Sequence, residues 1–387
     1  MKQILEGSQA VAQVVRNIGV DVVSAYPITP QTHIVEDLAK FRADDEADFE
    51  YVLAESEFAA ASIVEGASAA GSRVYTATSS QGLLLMLEVL YNIAGMRLPV
   101  VMTLANRGVS APITIWNDQQ DAMTARDAGW IMLFAENHQE AVNQHILAYK
   151  IAEKLRLPVM VNIDGFILTH SYEGVNIPSP ALIKKFLPKY KPKAGTDLNP
   201  ACPVTLGAFA TPDHYMEIRQ ELHLDLESSR KIIKEEYSNY QKIVLGEKSS
   251  TTDNGLVEYY GPQKAEIVLI ALGSVVGTLK DVCDEVNVKN KNKLAILKIK
   301  AFRPFPQAEI LKYIANAKYV GVLDKAISLG FMGPLGSEVL AISKGKIKAQ
   351  IRNCIVGLGG RDVRKDMIRK IVGNISKMNK DIEFIGK

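Results

Sequence analysis

Three residues in the first third of this 387-residue chain offer chemistry and sit beside runs that would position them. Glu57 lies in Glu55-Ser56-Glu57-Phe58-Ala59-Ala60-Ala61-Ser62-Ile63-Val64-Glu65-Gly66-Ala67, a stretch made mostly of small apolar residues. A helix apolar around most of its circumference is expected to be buried. A carboxylate in its first turn gains from the helix dipole, but burial demands a hydrogen-bonding partner. Composition gives Glu55 the same standing as Glu57, and either serves as an N-terminal capping acid. Arg107 follows an apolar run at 100–105. At a strand's C-terminal edge a guanidinium can take a carboxylate through paired N–H donors. A structural ion pair with Asp118, Asp121 or Asp127 is the equal alternative. Thr29 lies in Tyr26-Pro27-Ile28-Thr29-Pro30, whose prolines fix their own φ and push their predecessors towards extended backbone. The loop is therefore stiff, and it follows a mostly apolar run at 20–25. Open α/β sheets bind ligands at the C-terminal ends of their strands, although a plain strand–turn–helix connector has the same residues. Ser79-Ser80-Gln81-Gly82 begins another apolar helix. Its free N–H groups suit an anion, and a serine N-cap explains it equally well.

These residues need a frame, and the apolar pattern supplies one. Strands are expected at 21–25, 49–53, 74–77, 100–105, 130–134 and 159–163, with helices near 6–17, 32–40, 56–70, 81–95, 119–127 and 137–155. Apolar strands joined by crossover helices imply a mainly parallel sheet covered on both faces. Residues 171–206 become proline-rich and unpatterned, too long for a simple connector and so expected to wrap over a neighbour. From Pro212 a charged amphipathic helix is expected, with Ile218, Leu222, Leu226, Ile233, Tyr237 and Tyr240 on its apolar face. The polar stretch 247–254 reads as a linker. A second alternating block then follows, with strands at 267–272, 294–299, 319–323 and 351–356 and helices near 275–286, 307–316, 334–343 and 362–378. The expected division is 1–246, a linker at 247–254, and 255–387.

An apolar content of 47% and a charged content of 23% describe an ordinary globular protein. No run of about 18 apolar residues is present, and the N-terminus lacks a signal peptide's apolar core. A cytoplasmic location with no membrane span and no nucleic-acid partner is expected. Net charge is +2, unevenly spread: residues 1–165 hold 11 Lys/Arg against 20 Asp/Glu, and residues 255–387 hold 23 against 12. The basic part should face an acidic partner or ligand, or else simply a lysine-rich solvated surface. Cys202, Cys283 and Cys354 are too far apart for a disulfide framework or an iron–sulfur cluster and read as small buried hydrophobes. The six histidines are scattered, with no metal-ligand spacing. Neither a P-loop nor a strand-borne G-x-G-x-x-G occurs, and there is no Gly-Asp-Gly with a later Asn to hold a diphosphate through Mg²⁺.

Taken together, these stretches resemble the α subunit of the 2-oxoacid:ferredoxin oxidoreductases, most closely pyruvate:ferredoxin oxidoreductase. The matching pieces are YPITPQT at 26–32, ESEFAAASIVEGASAAG at 55–71, TATSSQGLLLM at 76–86, ANRGVSAPITIWNDQQD at 105–121, ARDAGWI at 125–131 and DGFILTH at 164–170. LGS at 272–274, AFRPFP at 301–306, VLDK at 322–325 and GLGGRDV at 357–363 continue the likeness through the second block. The resemblance implies an α/β fold: a pyrimidine-type thiamine diphosphate-binding domain followed by a smaller transketolase C-terminal-like domain.

It also implies roles. Glu57 corresponds to the glutamate that bonds the aminopyrimidine N1′ of thiamine diphosphate, which chooses it over Glu55. Thr29, with Pro27 in the same loop, corresponds to the wall against oxoacid and cofactor, and Arg107 to the arginine that binds the substrate carboxylate. Buried, the glutamate would have the proton affinity that proton sharing with N1′ requires, and the arginine would orient the carbonyl. The family converts a 2-oxoacid and coenzyme A to an acyl-CoA and CO₂ and passes electrons through iron–sulfur clusters to ferredoxin. The motifs missing here then belong to partners: a β subunit with the diphosphate–Mg²⁺ site and the proximal [4Fe-4S] cluster, a ferredoxin-like δ subunit with the remaining [4Fe-4S] clusters, and a γ subunit, separate or fused with another. Pyruvate is the first expected substrate; a branched 2-oxoacid such as 3-methyl-2-oxobutanoate, or 2-oxoglutarate, is the alternative that pocket size would decide. A non-catalytic scaffold subunit is the reading from another class, and the matching contexts of Thr29, Glu57 and Arg107 argue against it.

Overall fold

A computed structural model describes residues 2–247, 252–290, 293–378 and 382–386. The first part of the chain runs β1 (Gln3–Glu6), α1 (Gly7–Ile18), β2 (Val22–Ala25), α2 (Thr32–Ala43), β3 (Glu50–Leu53), α3 (Glu57–Ala69), β4 (Val74–Thr78) and α4 (Gln81–Gly95). It continues with β5 (Val101–Asn106), α5 (Gln120–Thr124), β6 (Ile131–Phe134), α6 (His138–Leu155), β7 (Val159–Asp164), β8 (Tyr172–Val175), α7 (Pro180–Phe186) and α8 (Pro212–Tyr240). The second part holds β9 (Val257–Tyr260), β10 (Ile267–Ala271), α9 (Val275–Lys289), β11 (Leu294–Ile299), β12 (Ala301–Arg303) and α10 (Gln307–Ile314). It closes with β13 (Tyr319–Asp324), α11 (Pro334–Ser343), β14 (Gln350–Ile355), α12 (Lys365–Asn374) and β15 (Ile382–Phe384).

Two main sheets organise these elements, as a parallel α/β architecture requires. The larger has the order β12-β6-β7-β5-β4-β2-β3, parallel except for β12, which pairs antiparallel with β6. Every residue of β4, β5 and β7 is buried, as expected for central strands covered by helices on both faces. The edge strand β3 leaves Leu53 68% exposed. The smaller sheet has the order β15-β14-β13-β10-β11-β9, with only β9 antiparallel. β1 and β8 form a separate antiparallel pair.

Several sequence expectations change. Residues 171–206 are not without pattern: they contain β8 and α7, the latter started by Ser179, whose hydroxyl accepts the Leu182 N–H at 3.3 Å. The rest of the segment does wrap: Leu198 N–H donates to Ala69 O at 2.7 Å, and Arg73 donates to Pro188 O at 2.7 Å. β12 falls within the second block of sequence yet completes the edge of the first sheet. Cys283 and Cys354 are buried, but Cys202 is exposed. Of the linker read at 247–254, residues 248–251 lie outside the described residues. No helix among the described residues is long and apolar enough to cross a membrane.

The charge asymmetry is answered in part within the chain. Lys298 and Lys300, at the end of β11, reach Glu140 of α6 at 2.7 and 3.1 Å. Lys298 also meets Glu136 at 2.7 Å, as does Lys280 at 2.8 Å. Against the upward push of burial, the two ammonium groups hold the Glu140 carboxyl down to about 2. Acids of the first part thus neutralise lysines of the second.

Candidate active site

The adjacent parallel strands β5, β4, β2 and β3 end on one edge of the larger sheet, and each is followed by a polar group. Arg107 follows β5, Ser80 follows β4, Thr29 follows β2 and Glu57 follows β3. From β2 the chain first moves outward to β3, then returns across β2 to β4. The crevice beyond the carboxyl ends of β2 and β4 is therefore the topological switch point, where open α/β sheets take ligands.

Glu57 is the first residue of α3 and only 7% exposed, whereas Glu55 is exposed. The cap is Ser56, whose hydroxyl accepts the Ala59 N–H at 3.2 Å. Relieved of that duty, the Glu57 carboxylate makes no hydrogen bond or ion pair among the described residues. It lies against the first turn of α4: a Cβ added to Gly82 would stand 2.8 Å from Glu57 Oε1 and 2.3 Å from Thr78 Oγ1. Only glycine lets the helix approach this closely.

The loop carrying Thr29 is anchored by its neighbours. Gln31, fully buried, donates through Nε2 to Tyr26 O at 2.8 Å and to Ala77 O at 3.3 Å. Pro27 and Thr29 are exposed on the outer side of this anchor. Gln31 Oε1, Thr78 Oγ1 and Ser79 Oγ are buried with no hydrogen-bond partner among the described residues. An unpaired buried polar atom costs about 1–3 kcal/mol. With the unpaired Glu57 carboxylate, these oxygens fit a ligand that brings its own N–H donors.

Arg107 is 7% exposed and lies across the same edge. Its Nε donates to Thr114 O at 2.7 Å and its Nη1 to Thr29 O at 2.9 Å. Among the described residues its guanidinium forms no ion pair, so the alternative of pairing with Asp118, Asp121 or Asp127 does not hold. Burial lowers its pKa, and the more distant Asp121 charge opposes that shift. With two of five N–H donors bound to carbonyls, a fixed edge of the fork remains for an anion.

Asp121 was noted in the sequence only as a possible ion-pair partner. In the fold it is fully buried and accepts the backbone N–H of Ser80 at 3.0 Å and of Arg107 at 2.9 Å, both on Oδ2. Burial pushes its carboxyl up to about 7, while the Asn106 amide and the Arg107 and Ser80 N–H groups pull it back. Ser80 is not the simple N-cap expected: its hydroxyl makes no capping bond, and its φ is +47°.

The polar run at 116–121 bridges to the second sheet. Gln119 N–H donates to Lys325 O at 2.8 Å, and Gly359 N–H donates to Asp118 Oδ2 at 3.1 Å. Beneath them the buried Lys325 ammonium meets Asp164 at 3.1 Å and donates to the Asn117 side chain. Burial alone would raise the Asp164 carboxyl; Lys325 and the Ser274 donors hold it below the usual range.

A family model described as pyruvate flavodoxin/ferredoxin oxidoreductase, thiamine diphosphate-binding, matches residues 13–238, and one described as pyruvate:ferredoxin oxidoreductase core domain II matches residues 265–368. This chain belongs to the pyruvate flavodoxin/ferredoxin oxidoreductase family. Among its relatives in that family, the pyruvate synthase subunit PorA of Methanocaldococcus jannaschii is 46% identical over 98% of this chain and 96% of its own length. The PorA of Methanothermobacter thermautotrophicus is 44% identical over 99% of this chain and 98% of its own length. The ketoisovalerate oxidoreductase subunit VorA of Pyrococcus horikoshii is 39% identical over 99% of this chain and 98% of its own length. Among solved structures, the 2-oxoglutarate:ferredoxin oxidoreductase of Magnetococcus marinus, with 2-oxoglutarate, coenzyme A and succinyl-CoA bound, matches with a TM-score of 0.72 at 22% identity. The match covers 96% of this chain and 65% of that one and shows the shared fold.

One cluster in this oxidoreductase chain had no signal in the sequence. Glu6, His33 and His170, from three distant segments, bring their donor atoms within 4.8 Å of one another. Glu6 Oε1 sits 2.7 Å from His33 Nδ1 and raises the His33 pKa. His170, its ring tilted against that of His33 with centroids 4.6 Å apart, has its pKa lowered by burial and by its neighbour.

Proposed function

We propose that this chain is the α-type subunit of a pyruvate:ferredoxin oxidoreductase (pyruvate synthase). The reaction converts pyruvate and coenzyme A to acetyl-CoA and CO₂ and reduces ferredoxin. The observation that carries this reading is the Glu57 carboxylate, nearly buried, unpaired among the described residues and lying against Gly82 at the switch-point edge. The subunits named for pyruvate, at 40–46% identity, stand above those named for ketoisovalerate at 39%, which favours pyruvate over the branched acids.

Thiamine diphosphate, when bound, supplies the electron sink for decarboxylation. Glu57 is the carboxylate that would share a proton with the aminopyrimidine N1′ of the bound cofactor. Pro27 and Thr29 form the wall beside cofactor and oxoacid. Arg107 takes the substrate carboxylate on the part of its fork that the carbonyls leave unused, which fixes the orientation of the reacting carbonyl. Residues 1–246 make the pyrimidine-type unit and 255–387 the smaller unit, the latter lending β12 to the edge of the larger sheet.

The site is completed by other chains. A β subunit brings the diphosphate and Mg²⁺ residues and the proximal [4Fe-4S] cluster, a ferredoxin-like δ subunit brings the remaining clusters, and a γ subunit joins them. Support comes from the residues present: three widely separated cysteines and no Gly-Asp-Gly run. A substrate panel on the co-purified complex tests the reading: pyruvate-dependent ferredoxin reduction is expected, lost about 10²–10⁴-fold in Glu57→Gln with assembly intact. Wild-type turnover in that variant removes the role of Glu57, and a preference for 3-methyl-2-oxobutanoate or 2-oxoglutarate removes pyruvate.

A further inference from the structure

Asp121 ties together the loops after β4 and β5, on one side of the switch-point crevice, and all its contacts are of one kind. Oδ2 accepts the Ser80 N–H and the Arg107 N–H; Oδ1 accepts Asn106 Nδ2 at 3.0 Å and the Ala122 N–H at 2.7 Å. Four N–H donors converge on two oxygens, a demand that only an ionised carboxylate meets in full. The two main-chain donors on Oδ2 come from the loops after β4 and β5. One begins the turn that leads to Gly82 and so backs Glu57; the other fixes the main chain at the root of the Arg107 side chain. Ser80 also needs the support: its φ of +47° and ψ of −119° suit glycine better than serine. The Ser80 hydroxyl, 2.7 Å from Gly108 O, adds a second tie between the same two loops.

We infer that Asp121 is a positioning residue, whose carboxylate locks the Ser80 turn and the Arg107 main chain into one unit so that Glu57 and Arg107 face the same ligand. This rests on the roles proposed above for those two residues. Asp121 itself is fully buried and bonded only to N–H groups of the chain, so it acts through Ser80 and Arg107. Asparagine at 121 keeps the volume but turns one acceptor oxygen into a donor, so two of the four N–H groups lose their partner whichever way the amide lies.

The test uses the intact complex with Asp121→Asn, Ser80→Gly and the double variant, reading ferredoxin reduction against pyruvate concentration together with thermal melting. Asp121→Asn is expected to raise the pyruvate KM by roughly 10- to 100-fold. In the Ser80→Gly background, where glycine adopts the turn unaided, the same substitution should cost measurably less, giving a non-zero coupling in the double-mutant cycle. A lower melting temperature with KM within about twofold of wild type would mean a purely structural role and overturn the inference. Additive effects of the two substitutions would overturn it as well. If Asp121→Asn alone does not assemble, the double variant decides: assembly with a raised KM supports the lock, and failure to assemble or a wild-type KM rejects it. Arg107→Ala, run beside them, separates the two levels: wild-type turnover with an unchanged KM in Arg107→Ala undermines the functional reading itself.

Discussion

Arg107 donates through Nη1 to the main-chain carbonyl of Thr29 at 2.9 Å, so the loops after β5 and β2 are joined across the end of β4. The bond uses the Thr29 carbonyl and leaves its side chain on the exposed face of the loop. Arg107 therefore holds the wall of the crevice as well as offering donors to a ligand. Arg107→Ala is expected to raise the pyruvate KM by roughly 10- to 100-fold and to speed amide hydrogen exchange over residues 26–31. Arg107→Lys keeps the charge but cannot span the Thr29 and Thr114 carbonyls with a planar fork, so it should recover only part of the loss. An unchanged KM in both variants counts against a carboxylate site here.

Gly82→Ala tests how closely α4 must approach Glu57. The added methyl would meet Thr78 Oγ1 at 2.3 Å and Glu57 Oε1 at 2.8 Å, neither of which is tolerable without movement. Overpacking of this kind costs about 1–3 kcal/mol. It is opposed by the helix preference for alanine, worth about 1 kcal/mol. Gly95, in the last turn of the same helix, has nothing within 4 Å of an added Cβ and serves as the control. Gly82→Ala should melt earlier and lose most turnover, while Gly95→Ala should melt at or above the wild-type temperature. Equal melting and equal activity in the two variants would mean that Glu57 has room to move.

How much of this was legible in the sequence depends on the range of the interaction. β5, β7 and β11 and the helix at 81–95 follow from apolar runs that must be buried wherever they lie, and their limits come within a residue or so. β1, β8, β9, β12 and β15 were missed: each is three or four residues long and is fixed by its partner strand rather than by its own pattern. Thr29 and Arg107 were visible because each follows an apolar run at a strand end, and Glu57 because it opens a helix of small apolar residues, although only the family resemblance chose it over Glu55. Asp121 was not, since its importance lies in donors 14 and 41 residues away. The same holds for Lys298 and Lys300, whose burial against Glu140 depends on a helix far earlier in the chain.

That buried cluster makes a pH prediction. Glu140 titrates at about 2 in the fold against an ordinary 4.5, so its contribution is complete above 4.5 and lost as pH falls towards 2. A shift of this size is worth on the order of 3 kcal/mol. His145, buried and held down to about 4, loses stability earlier, between 6.5 and 4. The Glu140 loss lies lowest in pH, so a separate steep fall should come below 4.5. Urea midpoints measured from pH 7 to pH 2 should show it, and Glu140→Gln should start lower and flatten over the same interval. A Glu140→Gln profile parallel to wild type would mean the lysines do not depend on this carboxylate.

The contact between Lys325 and Asp164 makes the last prediction, because it joins the two sheets directly under the 116–121 bridge. Both groups are buried, at 4% and 1% side-chain exposure, and lie 3.1 Å apart. Removing one partner of such a pair leaves an unpaired buried charge and costs about 3–5 kcal/mol, whereas removing both is far milder. Lys325→Met should therefore destabilise the chain strongly and Lys325→Met/Asp164→Asn less so, giving a large coupling energy in the double-mutant cycle. The effect should reach the crevice. Lys325 also holds Gln119 through its carbonyl and donates to Asn117, and this run leads straight into Asp121. In the double variant, which spares the buried charge, the pyruvate KM should still rise, since the Asn117 contact is gone. A double variant with wild-type KM would confine Lys325 to holding the two sheets together.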